Sequence, residues 1–201
     1  MKILTIFLLY SSISFTQNKM TQTDQSLSSF LEGKNNSPPM DFAMESFALA
    51  TPFIEFGFSG FDQIGHDKLR PHLATAMIVQ LPIIISKYAF KRSRPERQYN
   101  PRLWNTRFTP SFPSGHAATT AAWATSLALV SPKNTSIMIG YTLLSGYSQV
   151  YVGNHYVSDV LAGWVLGWIT GRYIHSIFET NQNQPTRSEE RRVGKECRSR
   201  W

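Results

Sequence analysis

An all-α fold, a bundle of about five to six helices with its active site at helix ends and a long basic loop, is what three observations predict for this chain. Apolar residues recur at helical spacing, and no stretch alternates apolar with polar over a useful length. Phe112-Pro113-Ser114-Gly115-His116 runs straight into the small apolar stretch Ala117–Trp123, which reads as the mouth of a helix. One long segment, Lys91–Pro113, carries Pro95, Pro101, Pro110 and Pro113 and reads as a loop. Loops of that length in compact domains are usually functional or disordered, and its charge argues for function.

Met1 to about Gln17 reads as a secretory signal. Lys2 gives the positive start, Ile3–Tyr10 a short apolar core, and Ser14-Phe15-Thr16 a small-x-small cleavage site. Residues 18–40 are polar, end in Ser37-Pro38-Pro39-Met40, and read as a leader or linker with a helical turn at Ser26–Leu31. Asp41 opens a helix with Ala43, Phe47 and Ala50 at helical spacing; Pro52 kinks or ends it, and Gly57-Phe58-Ser59-Gly60 breaks it. Leu73–Phe90 is the next helical stretch, with Pro82 as a kink or as the junction of two shorter helices.

Three helices follow the loop: Gly115–Val130, Thr135–Val152 and Ser158–Phe178. Ser114 is placed as N-cap of the first. The main domain is therefore 41–180, with a tail over 181–201. Arg187–Trp201 resembles the read-through of a sequencing-library adapter and is set aside for fold reasoning. That stretch holds the one cysteine, Cys197, so nothing upstream offers a thiol, a disulfide or a cysteine metal site.

The formal charge is +7, and its concentration matters more than its size. Lys87, Lys91, Arg92, Arg94, Arg97, Arg102 and Arg107 face Glu96 alone between positions 87 and 107. Lys91, Arg92 and Arg97 are discounted here as solvated loop charges. Nucleic acid is not the expected partner, because the basic loop has few interleaved aromatics and the leader implies export. The apolar runs are broken by Gln80, Ser126, Ser145, Ser148 and Arg172, and few reach the ~18 residues expected of a spanning helix. The balance leans to a globular exported domain, with membrane association second. The expected location is exported, periplasmic or membrane-associated.

Three clusters carry chemistry. Lys87 precedes Arg94-Pro95 by six intervening residues; Pro113-Ser114-Gly115-His116 is the second; Ser148-Gln149, five residues, His155, three residues, Asp159 is the third. Lys and Arg suit the charge of a phosphate ester, Arg as a planar fork and Lys as a point charge. The Ser114 hydroxyl, the Gly115 N–H and the positive end of a helix favour an anion at one spot.

Together the clusters resemble the signature of the type 2 phosphatidic acid phosphatase superfamily. That superfamily includes bacterial acid phosphatases, lipid phosphatases and vanadium haloperoxidases. The resemblance, to the acid and lipid phosphatase branch, covers roughly Lys87 to Gly163. It implies a metal-independent phosphoric monoester hydrolase without a cofactor, acting on a lipid phosphate or small phosphomonoester. By resemblance His155 is the nucleophile, forming a phosphohistidine. Asp159 then orients its ring, and His116 is the general acid. Lys87, Arg94, Ser114, Gly115 and Gln149 hold the phosphate. Gln149 departs from the pattern, which has arginine there. That departure motivates one alternative, a non-catalytic anion- or lipid-binding member. A vanadate-dependent haloperoxidase is another.

Overall fold

The computed structural model describes residues 17–64 and 70–182, and all regular structure among them is helical. The leader before Gln17 and the tail from Arg187 lie outside the described residues. The order is α1 (Gln17–Leu31), α2 (Pro38–Gln63), α3 (Pro71–Ile78), α4 (Gln80–Phe90), α5 (Gly115–Val130), α6 (Thr135–Tyr151) and α7 (Val157–Gln182). A single 3-10 turn, Pro132–Asn134, joins α5 to α6.

Helix α5 is the centre. It packs against α2, α3, α4, α6 and α7, and Ala117 through Ala124 are buried almost without a break. Ser114 caps it as expected, its hydroxyl accepting from the Ala117 N–H at 3.4 Å. The tightest neighbour is α7. A Cβ at Gly163 would sit 2.8 Å from the Ser114 carbonyl oxygen and one at Gly171 2.7 Å from that of Ala122, while at Gly167 it would overlap that of Ala118. The matched steps of four residues show that α5 and α7 run parallel. Glycine at every fourth position of α7 lets two backbones touch, as small residues do in membrane helix pairs.

Helix α2 is continuous through Pro52, Gly57 and Gly60, against the expected break. Pro52 lacks the N–H that would bond the Ala48 carbonyl four residues back. Gln149 Nε2 donates to that carbonyl at 3.0 Å instead. Packing against α5 and α6 holds the remaining turns.

The same helix is inverted relative to a water-soluble one. Its buried residues include Asp41, Glu45, Thr51, Glu55 and Ser59, while Phe53 and Phe61 are 79% and 77% exposed. Several of these side chains are paired, although Thr51 Oγ1, Asp41 Oδ2 and Glu55 Oε2 have no partner among the described residues. Tyr151 donates to Asp41 Oδ1 at 2.8 Å, Trp123 Nε1 donates to Ser59 at 2.9 Å, and the Thr120 hydroxyl donates to Glu55. A helix that buries carboxyls and exposes phenylalanines fits an apolar surrounding rather than water. This runs against the globular leaning of the sequence.

Pro71–Phe90 resolves as two short helices meeting at Val79, with Pro82 in the first turn of α4, where a missing N–H costs little. Taken as one stretch it is long and apolar enough to cross a membrane by length and composition.

Residues 18–40 are not a linker throughout. Helix α1 occupies most of them and buries Asp24 and Ser28, with Glu32, just past its end, buried four residues further on. Ser28 accepts from the Val157 N–H at 3.0 Å and Asp24 from the Ser158 N–H at 3.2 Å. These are the first N–H groups of α7, which have no partner within their own helix. Helix α1 thus caps α7 from outside.

Candidate active site

The loop between α4 and α5 folds over the N-termini of α5 and α7 and is held there by its own cations. Arg107 donates to the carbonyls of Pro95 and Gly153, and Arg97 to Asn105 and Asn154. Glu32, the residue after α1, accepts from the backbone N–H groups of Gln98 and Tyr99 at 2.8 Å each. The expectation of solvated charges therefore fails for Arg97, and it fails further for Arg92, which pairs with both Asp24 and Asp159.

Beneath the loop lies a cavity of about 390 Å³. Lys87, Arg94, Gly115, His116 and His155 line it, so five of the eight expected site residues converge. Asp159 stands directly behind His155. The other two do not line the cavity. Ser114 is fully buried and spends its hydroxyl on the helix cap. Gln149 is buried in the wall, bonded to Ala48 and accepting from Asn154 Nδ2 at 3.1 Å. A second cavity of about 530 Å³ lies between α5, α6 and α7, away from the motif histidines, with Arg172 as its one charged residue.

The two cations of the wall are tethered. Lys87 Nζ donates to the Pro110 carbonyl at 2.8 Å. Arg94 Nε donates to the Phe108 carbonyl at 2.7 Å, and its Nη1 lies 3.3 Å from His155 Nε2. A guanidinium only donates, so that contact puts the lone pair of His155 on Nε2, facing the cavity. Its Nδ1 faces Asp159 Oδ2 at 3.5 Å, a distance at the outer edge of hydrogen bonding. Such contacts commonly tighten when substrate binds. Asp159 Oδ2 also accepts from the Tyr156 N–H at 3.1 Å, as the third residue of a helix does in a capping box. The contact with His155 and the cap of α7 share one oxygen.

The electrostatics follow from burial and cations. Burial pushes the His155 imidazole down to about 4, with Arg94 adding to the effect and Asp159 opposing it. Burial, then His155, Arg94 and Lys87, bring His116 to about 4. Burial and the Arg107 charge lower Arg94 to about 10. For Asp159 burial acts upward, but His155, Arg92 and the Tyr156 N–H outweigh it and hold the carboxyl below its usual range. The site therefore holds a neutral His155 beside an ionised Asp159.

Sequence reasoning missed the rest of the wall. Pro52, Phe56, Ile83, Ile84 and Phe108 give the cavity an apolar side, and Gln80 with Thr119 adds a polar contact of 2.9 Å. These residues come from α2, α4, the loop and α5, and none belongs to a motif.

A chain with this geometry has known relatives. A 90-residue stretch is 44% identical to an undecaprenyl-diphosphatase of Sulfolobus acidocaldarius, covering 43% of this chain and 44% of that one. A lipid A 1-phosphatase of Rhizobium etli is 36% identical over 89 residues, covering 40% of this chain and 38% of that one. The match spans less than half the length of either relative. Among solved structures, a transmembrane PAP2-type phosphatidylglycerolphosphate phosphatase from Bacillus subtilis superposes with a TM-score of 0.71 at 20% identity, covering 92% of this chain and 98% of that one. Aquifex aeolicus LpxE superposes with a TM-score of 0.60 at 26% identity, covering 74% and 92%. The PAP2 superfamily model matches residues 68–183, more than half of the sequence and all three motifs, and the chain belongs to that superfamily.

Proposed function

We propose that this chain hydrolyses phosphate esters of lipids at a membrane, through a phosphohistidine on His155. The observation that carries the reading is the convergence of His155 Nε2, His116, Lys87 and Arg94 on one cavity with an apolar side. The Nε2 lone pair attacks phosphorus, and the bond from phosphorus to the leaving oxygen breaks. The anionic phosphate beside His116 favours its charged form, and the imidazolium gives that oxygen its proton. Water then loses a proton to His116 and attacks phosphorus, the P–N bond breaks, and inorganic phosphate leaves. Lys87 and Arg94 offset the charge on the phosphoryl oxygens throughout. The Asp159 carboxylate holds the His155 proton on Nδ1 and stabilises the ring as it gains charge.

The apolar wall of Phe56, Ile83, Ile84 and Phe108 supports a substrate with a lipid tail, the class named for both curated relatives. The exposed phenylalanines of α2 support a membrane location. Met1–Gln17 supports an exported, periplasm-facing site. Gln149 favours a second reading, an anion-binding member without turnover, because it leaves the cavity with two cations.

Phosphate release separates the two. Protein in detergent with EDTA is given an isoprenyl diphosphate, a phosphatidic acid and p-nitrophenyl phosphate. Turnover of the lipids, with an acid-labile phosphoenzyme absent from His155→Ala, is the expected result. Vanadate binding without turnover of any of the three sinks the hydrolase reading in favour of the second. Turnover lost on chelation sinks the metal-independent step.

A further inference from the structure

The cation near the site that pairs with two carboxylates does not line its cavity. Arg92, with a side chain only 10% exposed, lies between α1 and α7. Its Nη1 donates to Asp159 Oδ1 and to the Ser158 hydroxyl, its Nη2 donates to Asp24 Oδ2 at 2.7 Å, and its guanidinium lies 3.9 Å from the centre of the Tyr156 ring. Both forks are therefore committed, one to Asp159 and one to a residue of α1. Asp24 also accepts from the Ser158 hydroxyl and N–H. It lies outside the stretch that the family model matches.

We propose that Arg92, anchored by Asp24, is a positioning residue of the active site, and that α1 is thereby a working part of it. The inference rests on the reading of His155 as nucleophile. The Asp159 carboxylate has two oxygens, and a rotated carboxylate would offer His155 either. Arg92 occupies Oδ1, so Oδ2 alone is left for the imidazole. The positive charge beside Oδ1 keeps the carboxyl ionised while Nδ1–H is shared with it. Asp24 fixes the second fork, so the guanidinium cannot swing toward the phosphate and become a third clamp. The chain Asp24–Arg92–Asp159–His155 thus passes the position of α1 to the reacting nitrogen.

A phosphate clamp and a positioning residue give different signatures. Full-length protein in detergent is compared with Arg92→Ala, Arg92→Lys and Asp24→Asn on p-nitrophenyl phosphate. Vanadate affinity is measured alongside. Losing an outer partner of a reacting group typically costs about 10- to 100-fold. Arg92→Ala is expected to lose kcat by that factor with KM and vanadate affinity within about twofold. Arg92→Lys recovers part of the loss, because an ammonium reaches one carboxylate only. Asp24→Asn loses less, and Asp24→Asn with Arg92→Ala is no worse than Arg92→Ala alone, since the two act in series.

Imidazole nitrogen spectra of histidine-labelled protein, with His155 assigned by its loss in His155→Gln, supply a readout independent of turnover. The parent shows the proton on Nδ1, and Arg92→Ala shows a mixture. A parent that does not turn over defeats the hydrolase reading, yet its spectra still test the bridge. A vanadate affinity that falls tenfold or more in Arg92→Lys makes Arg92 a clamp and overturns the proposal. So does an unchanged tautomer with unchanged kcat in Asp24→Asn and Arg92→Lys, the two variants that keep a hydrogen-bonding group in place if Arg92→Ala does not fold.

Discussion

Gln149 Nε2 donates to the Ala48 carbonyl, the carbonyl of α2 that Pro52 leaves without its partner four residues on. Two features that look like separate anomalies in the sequence, a proline inside a helix and a glutamine in place of a motif arginine, complete each other. Gln149→Leu removes that donor and also the acceptor of Asn154 Nδ2. Each buried group left unpaired costs about 1–3 kcal/mol, so a clear loss of thermal stability is expected. A melting temperature equal to the parent's counts against this account of Pro52.

Gln149→Arg probes the other side of the same position. Arginine keeps a donor for Ala48 and brings a cation next to Asn154, whose carbonyl and neighbour His155 already engage Arg94. A gain of about tenfold in kcat/KM and tighter vanadate inhibition are expected, since a charged donor strengthens as the transition state gains charge. An unchanged or lower kcat/KM shows that position 149 does not reach the anion.

His116 is assigned by its dependence on the leaving group. His116→Ala should slow release of an alkyl or lipid alcohol by about 10²–10⁴-fold. The loss on p-nitrophenyl phosphate should be much smaller, because that leaving group needs no proton. Equal losses on both substrates remove His116 as general acid.

The glycine ladder predicts a graded set of changes. Gly167→Ala would press a methyl into the Ala118 carbonyl, and overpacking typically costs about 1–3 kcal/mol or more. Gly140→Ala, on an open face of α6, should be neutral or raise stability by up to ~1 kcal/mol through helix propensity. Parity between the two variants in thermal melts contradicts the close contact of α5 and α7.

Acid should destabilise the fold before it touches ordinary carboxylates. His155 and His116 have folded values near 4, below the ~6.5 of a free imidazole. Between those values the unfolded chain binds more protons, so stability is complete above about pH 6.5 and is lost as pH falls toward 4. Asp159, held low, acts in the same direction at lower pH. Melting temperatures taken from pH 7.5 to 4 should fall, and His155→Gln should flatten the fall. Glu55, which burial raises to about 8, acts in the opposite sense, so the test is the difference between the two proteins: equal slopes in the parent and His155→Gln mean that His155 is not held neutral.

The helices after the loop were legible almost to the residue, because Ser114, the Pro132-Lys133-Asn134 break and the Gly153–Tyr156 break are local signals. Lys87, Arg94, His116, His155 and Asp159 were legible because motif spacing survives without knowledge of packing. What failed was everything decided across helices. The continuity of α2 through Pro52 depends on a residue about a hundred positions away. Arg92 read as solvated because its partners, Asp24 and Asp159, lie far off in sequence. Most of α1 read as a linker, with a turn at Ser26–Leu31 alone, because the informative pattern, Asp24, Ser28 and Glu32 just past the helix, at intervals of four, is polar. A pattern search that looks only for apolar stripes passes over a helix that buries its polar face.

The parallel run of α5 and α7 brings two positive helix ends side by side over one cavity, with Lys87 and Arg94 added. Like poles that close repel, and Asp159 in the first turn of α7, already paired with Arg92, relieves only part of that. The phosphoryl group of a substrate is then the fold's missing counter-ion as well as its reactant. Inhibitor affinity and heat resistance become two measurements of one quantity: the more tightly an oxyanion binds, the further it should lift the melting temperature, by the logarithm of its saturation. A panel of oxyanions ranked by inhibition should keep that rank in a thermal-shift assay, with no substrate turned over at all.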